Sequence, residues 1–130
     1  MRRVTLLQMS LAAFFLAGAA ASAGSGVGVG DPAPELTVKE WVRGGPVNLA
    51  KDGRNKLHLI EFWAVWCPPC KASVPLLTEL QKRFEKDLVV VGVTDPDPYR
   101  NSPTEIRQFV KQQGTNMNYT VAIDDRGETT

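Results

Sequence analysis

Leu57-His58-Leu59-Ile60-Glu61-Phe62-Trp63-Ala64-Val65-Trp66-Cys67-Pro68-Pro69-Cys70 is the stretch that decides the fold. Its first eight residues are apolar with few interruptions, as a strand buried on both faces should be. From Lys71 to Lys86 the apolar residues Val74, Leu77, Leu80 and Phe84 follow a helical spacing. The cysteines therefore stand where a strand gives way to a helix. Cys67 meets the positive end of that helix, where the dipole and free N–H groups favour thiolate over thiol. Thiolate formation is the physical requirement for thiol–disulfide exchange.

Working outward, the chain has 130 residues, with 15 basic and 14 acidic side chains, 43% hydrophobic content and two cysteines. This composition suits one soluble domain at most. Near-neutral charge without a basic cluster gives no reason to expect a nucleic-acid partner. Residues 1–23 read as a signal peptide: Met1-Arg2-Arg3 is basic, Leu11 to Ala21 is apolar, and Ala21-Ser22-Ala23 has the small-x-small pattern of a cleavage site. The apolar core is shorter than the roughly 20 residues of a membrane span, so no stable span is expected unless the signal stays uncleaved as an anchor. The expected location is outside the cytoplasm, in a periplasm or on the outer face of the cytoplasmic membrane. In an oxidising compartment two cysteines can form a structural staple. A staple two residues apart restricts the unfolded chain little, so the spacing favours a redox pair.

Residues 24–34 form a flexible lead: a Gly/Ser/Val-rich run, then the extended Asp31-Pro32-Ala33-Pro34. Glu35 to Val42 and Pro46 to Leu49, separated by Gly44-Gly45, predict a short β-hairpin. Lys51-Asp52-Gly53-Arg54-Asn55 reads as a polar turn. Leu88 to Val93 is a second buried strand, making a right-handed βαβ unit with the cysteine helix. Ser102-Pro103-Thr104-Glu105 is a full helix start, with serine at the N-cap, proline at the first helical position and glutamate completing a capping box. Ile106, Phe109 and Val110 supply the buried stripe of that helix, and Gly114 its stop. Tyr119, Val121 and Ile123 predict a third core strand, ended by the turn Asp124-Asp125-Arg126-Gly127.

Across residues 29–123 this pattern resembles the thioredoxin superfamily, and within it the exported thiol–disulfide oxidoreductases of the TlpA/ResA kind in the redoxin group. The resemblance rests on Gly30-Asp31-Pro32-Ala33-Pro34, on Glu61 through Lys71, and on Pro75 in the following helix. It implies an α/β, thioredoxin-like domain over residues 35–130 that holds only the N-terminal part of the fold, a short hairpin plus βαβαβ. The cis-proline loop, the last two strands and the final helix would be missing, because the last proline is Pro103. By this resemblance the chain is expected to be a fragment with an unpaired sheet edge. Cys67 is then the attacking, more exposed thiol and Cys70 the buried resolving one, with the Cys67–Cys70 disulfide as the redox group, no other cofactor and no metal. Two cysteines supply only half the ligands of a structural zinc site.

The neighbouring residues refine the chemistry. Pro68 and Pro69 have no N–H, so the donors nearest the Cys67 sulfur begin at Cys70. The weaker thiolate stabilisation predicts a reductase-leaning potential, nearer about −270 mV than about −120 mV. Glu61 lies six residues before Cys67, where thioredoxins carry a buried acid, and is the candidate acceptor of the Cys70 proton. Trp66, Pro68 and Pro69 are candidate substrate contacts; Trp63 reads as core, Pro75 as a structural helix proline, and His58 as a strand-end residue without a catalytic part. The sequence departs from the resemblance at two positions. Ser73 stands where many TlpA/ResA-like chains have a glutamate, and Gly92 where thioredoxins often have a lysine facing the acid. The partners implied are a disulfide-containing protein substrate and a membrane or thioredoxin-type electron donor. The competing readings are a redoxin-group peroxidase, against which Ala64 stands where a Thr or Ser is usual, and an inactive truncated fragment.

Overall fold

The computed structural model describes residues 27–52 and 55–125. The segment read as a signal peptide, residues 24–26 of the lead, Gly53-Arg54 of the polar turn and Arg126-Gly127 lie outside them. In chain order the elements are β1 (Val38–Arg43), α1 (Leu49–Asp52), β2 (Leu57–Phe62), α2 (Pro68–Arg83), β3 (Leu88–Thr94), α3 (Pro103–Gln113) and β4 (Thr120–Asp124), with a 3-10 turn at Gly114–Asn116. The described strands form one mixed sheet in the order β1-β4-β3-β2. β2, β3 and β4 are parallel, and β1 runs antiparallel to β4.

The expected hairpin is not formed. β1 pairs instead with β4, the last of the described strands, with Trp41 opposite Ala122. Residues 46–49 lead into the short helix α1. Pro46 lacks the N–H that a second hairpin strand needs. The α1 start also offers better partners: the Asn48 side chain accepts from Lys51 N–H at 2.8 Å, and the Glu35 carboxylate accepts from Ala50 N–H at 2.8 Å. Gly44, at φ +75°, brings the backbone so close to Thr120 that a Cβ would lie 2.6 Å from its hydroxyl oxygen. The strand therefore turns away beside β4.

Two consecutive right-handed crossovers, β2-α2-β3 and β3-α3-β4, put both long helices on one face of the sheet. Val74 and Leu77 of α2 and Ile106 and Val110 of α3 share one buried cluster with Val90, Val121 and Ile123. Gln81 fastens α2 to β3 by donating to Leu88 O at 3.0 Å and accepting from Val90 N–H at 2.8 Å. α3 starts as its sequence predicts: Ser102 is the N-cap, Pro103 opens the helix, and the capping box with Glu105 is complete. The Ser102 hydroxyl and backbone N–H hold the Glu105 carboxyl below its ordinary value. Arg43 of β1 closes the other end of α3, its guanidinium donating to Val110 O at 3.0 Å and Gly114 O at 2.7 Å. Phe84, the last residue in the helical apolar spacing of α2, is the C-cap residue and lies exposed. The apolar spacing of α2 runs one turn past the core it packs on.

Gly92 leaves no room for a side chain in this core. It pairs with Glu61 across β2 and β3. A Cβ there would lie 3.0 Å from Trp63 Nε1 and 3.2 Å from Tyr119 Cε2. The absent side chain lets an indole and a phenol close over the middle strand. Replacing Gly92 with alanine is expected to overpack this junction and cost about 2 kcal/mol. A urea melt of Gly92→Ala with an unchanged midpoint would contradict that packing argument.

Candidate active site

β2 runs out at Phe62, and Ala64-Val65-Trp66 make the bend that delivers Cys67 to the start of α2. Cys67 N–H donates to Ala64 O at 3.1 Å, which tightens the bend, and Lys71 N–H donates to Cys67 O at 3.1 Å, which begins the helix. Cys67 is the N-cap and Pro68 and Pro69 open the helix, where a missing N–H costs nothing. The N–H left to reach the cap side chain is that of Cys70, which donates to Cys67 Sγ at 3.3 Å. The two sulfurs are joined in a disulfide, with the Cα atoms 5.3 Å apart. Both cysteines are partly buried, and Cys70 also packs against the core cluster.

A cavity of about 380 Å³ opens beside the disulfide, between Trp66 and Cys67 on one side and Asp95, Asp97 and Arg100 on the other. Trp66, 51% exposed, lies beneath the Arg100 guanidinium, 4.7 Å from the ring centre. Pro68 and Pro69 are exposed next to it. Trp63 is buried in the core and meets Phe109 of α3 at 5.5 Å between ring centres. The candidate substrate contacts thus share one surface with the disulfide, and Trp63 stands behind them.

One buried side chain fixes this geometry. Asn101 Oδ1 accepts from Val65 N–H at 2.9 Å, while its amide nitrogen donates to Thr94 Oγ1 at 2.8 Å and to Asp95 O at 2.6 Å. Its backbone exchanges two bonds with Asp97, at 3.0 and 3.1 Å. The bend before Cys67 is therefore tied to the loop after β3. Sequence reading missed Asn101 because a lone asparagine in a Pro/Asp-rich loop looks like ordinary turn chemistry. Arg100 was missed for the same reason, since its aromatic partner is distant in the chain.

Glu61 lies beneath the helix. The Ser73 hydroxyl is 2.5 Å from Glu61 Oε1 and 2.7 Å from Cys70 O. The other carboxyl oxygen, Oε2, is buried without a hydrogen-bond partner, as is the Tyr119 hydroxyl. These two groups do not meet bonding geometry with each other, yet the Glu61 carboxylate bears on the Tyr119 phenol through its charge. Burial raises the Glu61 carboxyl above its ordinary 4.5, outweighing stabilisation of the carboxylate by Ser73 and Tyr119. Burial, together with the nearby Glu61, also pushes the Tyr119 phenol up. Ser73, which in sequence marked only the absence of a helix acid, is the residue that touches the strand acid. His58 lies on the opposite face of β2 from Glu61, its Nε2 buried without a partner. Pro75 sits inside α2, exposed.

With this geometry in place, the relatives can be set beside it. The AhpC/TSA family model matches residues 29–130, and the chain belongs to that family. Within it, the chain is similar to thioredoxin-like thiol–disulfide oxidoreductases. The thiol-disulfide oxidoreductase ResA of Bacillus thuringiensis subsp. konkukian is 31% identical over 100 residues, which are 77% of this chain and 54% of that protein. A thiol-disulfide isomerase from Corynebacterium glutamicum superposes with a TM-score of 0.63 at 26% identity, covering 75% of this chain and 64% of that one. The exposed lipoprotein thioredoxin of Streptococcus pneumoniae superposes with a TM-score of 0.57 at 30% identity, covering 72% and 67%. The chain spans about half the length of the curated relatives it matches. The fold is thus the mixed α/β, thioredoxin-like one that the sequence resembles.

The raised Glu61 value gives a pH signature. A carboxyl that binds its proton more tightly folded than unfolded adds stability that is fully present below its ordinary 4.5. That contribution is lost as pH rises through the folded value. The stability of wild type relative to Glu61→Gln should therefore fall with rising pH across that window. Urea midpoints measured for both proteins over a pH series check this; parallel curves would mean that Glu61 titrates in the fold as it does in water.

Proposed function

We propose that Cys67 and Cys70 form a redox pair that exchanges disulfides with protein substrates. The carrying observation is the Cys67 sulfur at a helix N-cap, bonded to Cys70 and receiving the Cys70 N–H at 3.3 Å, at the mouth of a cavity. The similarity to thiol–disulfide oxidoreductases of known type supports the same reading. In the reducing direction the Cys67 thiolate attacks a substrate disulfide and forms a mixed disulfide, releasing the first substrate thiolate. Cys70 then loses its proton and attacks Cys67 Sγ. The Cys67–Cys70 bond forms, the Cys67–substrate bond breaks, and the substrate leaves with both electrons. Glu61 is the acceptor of the Cys70 proton in this scheme, with Trp66, Pro68 and Pro69 forming the contact surface for the substrate.

The pair needs no cofactor beyond its own disulfide. The N-terminal basic and apolar segments support export, to a periplasm or to the outer face of the cytoplasmic membrane. Among the described residues no helix is long and apolar enough to cross a membrane. A membrane or thioredoxin-type donor would return the electrons. A peroxidase reading has less support, because Ala64 offers no hydroxyl where peroxidatic sites usually carry one.

With Cys70→Ser, the attack on a disulfide substrate should stop at a stable mixed disulfide on Cys67, visible by mass spectrometry, whereas Cys67→Ser should trap nothing. Equal trapping by the two variants would remove the assigned roles. Equilibration against a dithiothreitol or glutathione couple should give a potential nearer about −270 mV than about −120 mV. A value at the oxidising end, or rapid turnover of hydrogen peroxide in place of disulfides, would overturn the reductase reading.

A further inference from the structure

The Ser73 hydroxyl faces two acceptors and has one proton to give. Glu61 Oε1 lies 2.5 Å away and Cys70 O lies 2.7 Å away, on the residue that must release a proton during resolution. A serine hydroxyl is one donor with two acceptor lone pairs. When Glu61 is protonated, its O–H donates to Ser73 Oγ and Ser73 donates onward to Cys70 O, so both contacts are satisfied. When Glu61 is a carboxylate, Ser73 turns its proton to Oε1 and the Cys70 carbonyl loses that donor. The carboxylate and the first turn of α2 thus compete for a single hydrogen.

We propose that Ser73 is a positioning residue for resolution: its hydroxyl holds the Glu61 carboxyl under Cys70 and couples the protonation of that acid to the helix turn carrying the resolving thiol. This deepens the disulfide-exchange reading and rests on it. The groups facing Glu61 fit such a role. From α2 comes Ser73, which also reaches Cys70 O; from the segment before β4 comes Tyr119, 4% exposed, whose phenol stays neutral. From β3 comes Gly92, which carries no charge where a lysine would have fixed the carboxylate by ion pairing. With no cation shown against Glu61 Oε2, the Ser73 hydroxyl is the donor seen on the carboxyl, through Oε1. Hydrogen bonds to charged groups are the stronger ones, so one such donor is sufficient to move the acid's proton affinity.

In the resolving step the Cys70 proton passes to the Glu61 carboxylate, the Cys70 sulfur bonds to Cys67 Sγ, and the substrate thiolate departs. Loss of Ser73 leaves the carboxylate without that donor, raises its proton affinity and shifts the population able to accept the Cys70 proton to higher pH. The experiment measures single-turnover resolution of a preformed mixed disulfide on the full chain over a pH series, in parallel with the carbon-13 shift of the Glu61 carboxyl. Wild type, Ser73→Ala, Ser73→Thr and Glu61→Gln are compared. The expected result for Ser73→Ala is an acidic limb and a carboxyl titration both displaced to higher pH, with resolution on that limb slowed about tenfold. Ser73→Thr, which keeps the hydroxyl, should follow wild type, and Glu61→Gln should lack the limb altogether. If Glu61→Gln removes the limb while Ser73→Ala leaves limb and titration in place, the Ser73 inference fails and the proton-acceptor role stands. If Glu61→Gln keeps the wild-type limb, the acceptor role itself fails. Should Ser73→Ala be too unstable for kinetics, Ser73→Cys, with a weaker donor, must still displace the carboxyl titration, or the proposal is wrong.

Discussion

The site depends on how few N–H groups the start of α2 can offer. An ordinary helix presents several unpaired donors at its first turn, and a sulfur at the cap collects them. Here two successive prolines remove donors before any tertiary contact is made, and Cys70 supplies the N–H that reaches the Cys67 sulfur. The helix dipole remains, because it belongs to the whole length of α2. The dipole's attraction for negative charge at the cap is therefore kept while the local hydrogen-bond contribution is trimmed. That balance is written into four residues, and the rest of the fold serves to hold them in place.

Holding them is a problem of loops, since the bend before Cys67 and the loop after β3 are both irregular. Irregular backbone at a partly buried position must find partners for its polar groups. Asn101 meets this need at one point, using its carbonyl oxygen for the Val65 N–H and its amide for Thr94 and Asp95. The same loop then carries Arg100 out over Trp66, so the clamp that shapes the backbone also sets the aromatic surface beside the disulfide. The aromatic surface beside the disulfide and the backbone clamp are linked through neighbouring residues, Arg100 and Asn101.

The strands and helices that carry the chemistry were legible because their signals are local. Largely apolar runs marked β2 and β3, and the Ser-Pro-x-Glu start of α3 carries its own cap partners within four residues. The failures were all long-range. β1 was expected to fold back on its neighbour, yet its partner is β4, and nothing between Glu35 and Leu49 encodes that pairing. Phe84 keeps a helical apolar spacing but extends beyond the sheet beneath it. The cysteine pair could be read from spacing and its helix position; the contacts of Glu61 could not. Ser73 reaches that carboxyl from helix α2, and Tyr119 lies near it from just before β4, more than fifty residues on in the chain. Gly92 was noted as a missing lysine, whereas its physical role is the space it concedes to Trp63 and Tyr119.

Those last residues form one argument about why a carboxyl is kept beneath a redox helix. A buried acid without a cation is costly as a carboxylate, and the protein supplies neither a lysine at position 92 nor a hydrogen bond to Oε2. Such a group adds nothing to the core that a hydrophobic residue would not add more cheaply. Its environment makes sense for a group that must change charge, because neither protonation state is locked. Full ion pairing would hold the carboxylate and prevent it from gaining a proton easily; complete burial without Ser73 would hold the acid and prevent it from losing one. A single shared hydroxyl leaves the carboxyl between these limits, joined through Ser73 to the helix turn that carries Cys70.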